Sequence, residues 1–268
     1  MAYQPERQEL LLLVAEAARE AAAVIRDAAP RRGTIDWQSK GVTDFVSEVD
    51  LAAEARILAV LTKALPHATV LAEESAAQTP AEKVAKGLAI VIDPLDGTTN
   101  FLHGYPEYAV SIAVLSEGEP VAAVVYDVPG DEVFTATAGG GAHLNGVPIR
   151  VSSITEPNRA LIGTGFPFKD PAEIPAYQEQ MSKVMAQVSG VRRPGAASID
   201  LASVAAGRFD AFWENMLSPW DFAAGMLLVR EAGGEVTDLR GGHLRAVGSS
   251  GVLAGNPVMR LWLGRVLG

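Results

Sequence analysis

Apolar residues recur along this chain at two spacings, one helical and one alternating. From Gln4 to Ala28 they fall on one side of a 3.6-residue repeat and predict an Ala- and Leu-rich amphipathic helix. Leu51, Ala55, Leu58, Leu61 and Leu65 predict a second helix over Leu51 to Leu65, ended by Pro66. Thr69 to Ala72 and Leu88 to Ile92 read as short strands bounded by turn residues. Tyr108 to Leu115, Pro120 to Tyr126 and Glu132 to Ala136 are β-type runs separated by Gly, Pro and Asp, as in an antiparallel meander. Gly139-Gly140-Gly141 and Asn145-Gly146 mark tight turns.

The second half alternates. Ala160 to Gly163 predicts a strand, Ala176 to Val188 a helix, Ser198 to Ala206 a helix and Phe209 to Trp213 a strand. Ser218 to Ala232 carries full start and stop signals: Ser218 at the N-cap, Pro219 at the first position and Gly233-Gly234 past the end. Val252 to Ala254 and Pro257 to Val266 close the chain as strand and helix. With no internal repeat or low-complexity tract, the expected architecture is a layered α/β sandwich. It is read as one domain, 1–268, of two intimate halves, 1–155 and 156–268, with a seam near Val151 to Asn158.

Composition narrows the class. At 268 residues and 49% hydrophobic, the chain has material for a large core. Its net charge of −10 argues against direct binding to nucleic acid or to anionic membranes, both of which select clustered Lys and Arg. Without cysteine there is neither a disulfide nor a thiolate metal site. Leu10 to Val14 is too short and too acidic in its flanks for a secretory signal, and nothing approaches a membrane-spanning length. A cytoplasmic enzyme is the expectation.

The chemistry concentrates at Asp93-Pro94-Leu95-Asp96-Gly97-Thr98-Thr99-Asn100-Phe101, directly after the apolar run Leu88 to Ile92. Two acids at the end of a buried strand are hard to justify structurally. The ends of such strands are where α/β proteins place sites. Carboxylates are hard oxygen ligands for a divalent cation, and the backbone N–H groups of Gly97 and Thr98 can face an anion. Asp50, Glu73 and Asp221 also sit at element ends. Each has a structural reading: Asp50 and Asp221 lie three residues after Ser47 and Ser218, the spacing of a capping box, and Glu73-Glu74 suits an exposed loop. The four histidines are not paired at zinc-ligand spacing, no G-x-S-x-G elbow occurs, and Gly139 to Gly141 lacks the Lys-Ser/Thr of a nucleotide loop.

Three motifs in this order resemble the inositol monophosphatase family: Leu71-Ala72-Glu73-Glu74-Ser75, the Asp93 to Phe101 motif, and Trp220-Asp221-Phe222-Ala223-Ala224-Gly225. Val42 to Asp50, Gly141-Ala142 with Asn145-Gly146, and Arg193 to Ala197 support the match. The resemblance implies an αβαβα sandwich of the inositol monophosphatase and fructose-1,6-bisphosphatase type, usually a homodimer, and lithium-sensitive, Mg-dependent hydrolysis of a phosphate monoester with two to three Mg2+ ions per site. It further implies that Glu73, Asp93, the carbonyl of Leu95, Asp96 and Asp221 are metal ligands, and that Asp50, Glu73 and Thr98 are catalytic, with Asp50 and Thr98 orienting the attacking water. Asp96, the Gly97 and Thr98 amides, the Gly195, Ala196 and Ala197 backbone, Glu214 and Asp221 would meet the substrate. Ala72 departs from the Gly of many relatives, and Leu217 to Pro219 fill a variable region.

The resemblance makes an inositol-1-phosphate phosphatase the leading expectation, because Glu214 suits paired hydroxyls and Thr99-Asn100 lacks the Lys more frequent in relatives acting on other esters. Histidinol phosphate or fructose 1,6-bisphosphate is the alternative substrate. A third possibility is a binding role on another macromolecule, since some bacterial relatives are associated with the RNA-synthesis machinery.

Overall fold

The computed structural model describes residues 6–39, 45–168 and 170–268. Gln4 and Pro5 of the expected first helix, and residues 42–44 of the Val42 to Asp50 match, lie outside them. In chain order come α1 (Arg7–Ala28), a 3₁₀ turn, β1 (Trp37–Ser39), β2 (Phe45–Ser47), α2 (Glu48–Ala64), β3 (Thr69–Ala72), α3 (Ala81–Val84), β4 (Leu88–Asp96) and α4 (Thr98–His103). Then follow β5 (Ala109–Ser116), β6 (Glu119–Asp127), β7 (Glu132–Thr137), β8 (Gly141–Leu144) and β9 (Val147–Pro148). The remainder is β10 (Leu161–Thr164), α5 (Ile174–Met185), β11 (Gly190–Arg192), α6 (Ala197–Ala205), β12 (Ala211–Leu217), α7 (Pro219–Glu231), β13 (Glu235–Thr237), β14 (Ser250–Gly255) and α8 (Pro257–Leu267).

Alternation along the strands builds the layers. A seven-stranded sheet runs β3-β4-β5-β6-β7-β8-β9, antiparallel except for the parallel pair β3 and β4. Ile90, Ile92, Val110, Ile112, Val114, Ala122 and Val124 pack with α1 and α2 on one face. Ala89, Val91, Ala113, Leu115, Ala123 and Val125 pack with α6 and α7 on the other. The same period divides the five-stranded sheet, β11-β10-β12-β14-β13. Phe212, Val252 and Ala254 face α6 and α7, while Ala211, Trp213 and Leu253 face α5 and α8. The order of layers is therefore helices, sheet, helices, sheet, helices.

The central layer explains the composition of its helices. Every residue of α6 is buried, as is every residue of α7 from Phe222 to Val229. A helix sealed between two sheets has no polar face to keep wet. Gly225 makes the crossing of α6 and α7 close: a Cβ added there would lie 2.4 Å from the Cβ of Leu201.

Both sheets bend toward the same region through bulges. Pairing of β4 with β5 shifts between Asp93 and Asp96, so Pro94 and Leu95 together oppose Val110. In a regular strand, residues three apart point to opposite faces. The extra residue cancels that, and Asp93 and Asp96 emerge on one side while Leu95 joins the α1 and α2 layer. A second bulge, between Glu214 and Leu217 on β12, does the same for that pair. It also corrects the expected strand Phe209 to Trp213. The strand starts later, at Ala211, and continues to Leu217 because Leu217 re-pairs with Ser250, so Glu214 is inside the strand and not at its end.

Candidate active site

A cleft of about 420 Å³ opens where the bulged strands meet the starts of α4, α6 and α7. Glu73, Asp93, Leu95, Asp96, Gly97, Thr98, Gly195, Ala196, Ala197, Glu214 and Asp221 all line it. Asp50 reaches it through Thr98, whose hydroxyl donates to Asp50 Oδ1 at 2.7 Å and lies 3.1 Å from the Leu95 carbonyl oxygen. Every candidate residue read from the sequence is thus brought to one place.

Local structure holds each acid by known means. Asp50 closes a capping box with Ser47 at the start of α2, accepting from the Ser47 N–H at 2.9 Å. Asp221 closes another with Ser218 at 2.7 Å. The structural reading of these acids is correct, and it does not compete with a functional one. Asp93 Oδ1 accepts from the Leu95 N–H at 3.0 Å. Asp96 Oδ2 accepts from the Ser198 N–H at 2.8 Å and from its hydroxyl at 2.6 Å, which fastens α6 to the strand end. Glu73 is half-buried and its N–H bonds the Ile92 carbonyl, so the exposed-loop reading of this acid fails. Gly97 turns the chain with φ +93°, and a Cβ there would sit 2.8 Å from the Glu107 carbonyl oxygen. Only glycine tolerates both conditions.

Acids dominate the electrostatics of the cleft, with Arg193 the cation among its lining residues. Asp93 is 1% exposed, and burial, then Glu73, Asp96 and Asp221, push its carboxyl well above the carboxylate range. Burial also raises Asp50, opposed by hydrogen bonds from Ser47 and Thr98. Like charges gathered at a buried point are costly unless a cation neutralises them. Among the described residues no group of three acids or histidines is set to hold an ion as it stands. The fit lies in the donor chemistry: carboxylate and carbonyl oxygens without nitrogen or sulfur ligands suit a hard divalent cation.

Several cleft residues had no site role in the sequence analysis. Asn100 donates from Nδ2 to the carbonyls of Glu107 (2.7 Å) and Pro194 (3.1 Å), tying α4 to the segment before α6. Arg193 lies 5.0 Å from the ring centroids of both Phe166 and Phe168 at the mouth. Asp200 lines the cleft from within α6. An acid amid Ala, Ile and Leu at helical spacing was the available signal for it.

Glu107 carries a testable pH dependence. Burial, then Asp127 and Asp96, raise its carboxyl to about 7 against the opposing Arg208. The folded state then holds more protons than the unfolded state between the ordinary glutamate range and pH 7, so stability falls as pH rises through that window. In chelated protein the Tm should decline between pH 5 and 7, and Glu107→Gln should flatten that decline. An equal slope in the variant assigns the dependence elsewhere.

Fold and cleft together define a layered αβαβα protein with a carboxylate-lined site. A family model described as the inositol monophosphatase family matches residues 6–266. The Nus factor SuhB of Pseudomonas aeruginosa is 48% identical over 238 residues, covering 88% of this chain and 88% of that protein. The extragenic suppressor protein suhB of Bartonella henselae superposes with a TM-score of 0.88 at 41% identity, covering 97% of this chain and 98% of that one. Inositol monophosphatase from Anabaena superposes with a TM-score of 0.82 at 37% identity, covering 97% and 95%. The chain belongs to the inositol monophosphatase family.

Proposed function

We propose that this protein hydrolyses small phosphate monoesters, with inositol monophosphate as the leading substrate and Mg2+ as the cofactor. The observation that carries the reading is the convergence of Asp93, Asp96, Glu73 and Asp221 on one cleft beside the Asp50 and Thr98 pair. Glu73, Asp93, the Leu95 carbonyl, Asp96 and Asp221 would hold the metal. When bound, Mg2+ supplies charge neutralisation and lowers the pKa of water.

The chain's own groups would do the rest. With its proton directed at Asp50 Oδ1, the Thr98 hydroxyl keeps lone pairs to accept a proton from the attacking water. Asp50, buried and with a raised affinity for protons, is placed to take what Thr98 passes on. The Gly97 and Thr98 amides would bind phosphate, while Glu214, Asp221 and the Gly195 to Ala197 backbone would orient the alcohol. Phosphoryl transfer asks mainly for positioning and charge stabilisation, which these fixed donors and acids can supply.

The test is phosphate release from inositol 1-phosphate, histidinol phosphate and fructose 1,6-bisphosphate with Mg2+, with and without lithium. Lithium-sensitive preference for the inositol ester is the expected result; silence on all three overturns the reading. Thr98→Val should lower kcat by about a hundredfold with KM changed little. A raised KM at constant kcat would remove Thr98 from the proton path.

The name of the Pseudomonas relative favours a second role, in transcription. The corresponding proposal is that this chain binds a component of the RNA-synthesis machinery, independently of turnover. Co-elution of purified RNA polymerase with an Asp93→Asn variant would support it, and its failure with wild-type and variant alike would end it.

A further inference from the structure

Helix α6 is buried along its whole length. Asp200 is its one ionisable residue, is 1% exposed, and lines the cleft. Its Oδ1 has no hydrogen-bond partner among the described residues. Asp50, Asp93 and Asp96, by contrast, each accept from a backbone N–H or a hydroxyl of the chain. Leaving a buried carboxyl oxygen unsatisfied forfeits its solvation without a compensating hydrogen bond. The charges acting on Asp200 make matters worse, since Glu214, Glu107 and Asp96 share its sign and Arg193 opposes them. Burial and those neighbours hold its carboxyl well above the ordinary range.

We propose that Asp200 is a substrate-binding residue that works with Glu214, hydrogen-bonding hydroxyl groups of the leaving alcohol and so selecting polyol phosphates over esters of apolar alcohols. The proposal rests on the phosphatase reading above. Asp200 lies one helical turn after Ala196, with its N–H bonded to the Ala196 carbonyl, so it stands behind the backbone that would meet the alcohol. Glu214 comes from the facing strand, its carboxyl packed where a Cβ on Gly165 would fall, 2.1 Å away. A hydroxyl both donates and accepts, so it satisfies a carboxyl in either protonation state. A leaving alcohol without further hydroxyls leaves Asp200 orphaned, and sites built to hydrogen-bond a hydroxyl strongly reject analogues that lack it.

The competing role is structural: an acid in the first turn of α6 meeting the helix dipole. The two roles predict opposite signs. The test compares inositol 1-phosphate with cyclohexyl phosphate, a ring ester without further hydroxyls. Asp200→Ala should lower the ratio of their kcat/KM values about tenfold, and Asp200→Asn should restore part of it. In chelated protein Asp200→Asn should match or exceed the wild-type Tm. An unchanged ratio, or a lowered Tm with equal losses on both esters, overturns the proposal. Should the wild type hydrolyse neither ester, the phosphatase reading falls by itself, and calorimetric titration with inositol 1-phosphate decides the role of Asp200. Binding weakened by Asp200→Ala keeps it; unaltered or absent binding overturns it.

Discussion

On the phosphatase reading, Asp93→Asn should lower Mg2+-dependent hydrolysis by on the order of a thousandfold, while making the chelated protein more heat-stable. The two effects have one cause. Asp93 is buried among Glu73, Asp96 and Asp221, and its carboxyl is pushed well up, first by burial and then by those three charges. A carboxyl whose folded pKa exceeds its unfolded one destabilises the fold as pH rises beyond the unfolded value. Near neutral pH, and without a cation, the asparagine removes that strain. With a cation, it removes the innermost charge of the site. Mg2+ at about 100 times its Kd should raise wild-type stability by about 2.7 kcal/mol, and the variant should lose most of that gain. Thermal scans with and without Mg2+, beside a phosphate-release assay, measure all three quantities. A variant that keeps its Mg2+-induced Tm shift would show that Asp93 does not face the ion.

Gly225→Val should strongly destabilise the central layer. Its Cβ would meet Leu201 Cβ at 2.4 Å and Leu201 Cδ1 at 2.7 Å, distances that force α6 and α7 apart. Overpacking of this kind costs about 3 kcal/mol, or roughly 6–12 °C in Tm for a domain of this size. The consequence reaches the cleft, because α6 carries Ala197 and Asp200 and α7 carries Asp221. Activity should therefore fall even below the new Tm. A variant within 2 °C of wild type would mean that the layer can spread without strain.

Much of this was legible in the sequence, for a physical reason. Elements follow from local periodicity and from caps, and both are written in neighbouring residues. The strand over Thr69–Ala72 matches its expected bounds, and the helix after Ser218 starts on its capping box. Short elements were less legible. The strands at Gly190–Arg192 and Glu235–Thr237 are three residues long and hold through their pairing with β10 and β14, which no local pattern reveals.

The sequence by itself determined most of the longer strands and helices, the three acidic motifs and the turn at Gly97, because each depends on hydrophobic period or on the conformational freedom of one residue. Tertiary structure decided how those motifs meet. Residues 93 and 96 share a face only because β4 bulges against β5, and 214 and 217 only because β12 bulges against β14. Ser198 reaches Asp96 across 102 positions of sequence, and Asn100 reaches Pro194 across 94. Asp200 looks like any helical acid until the two sheets close over it and leave its Oδ1 without a partner among the described residues. Burial and like-charge proximity are properties of the closed fold, so the chemistry they create appears only there.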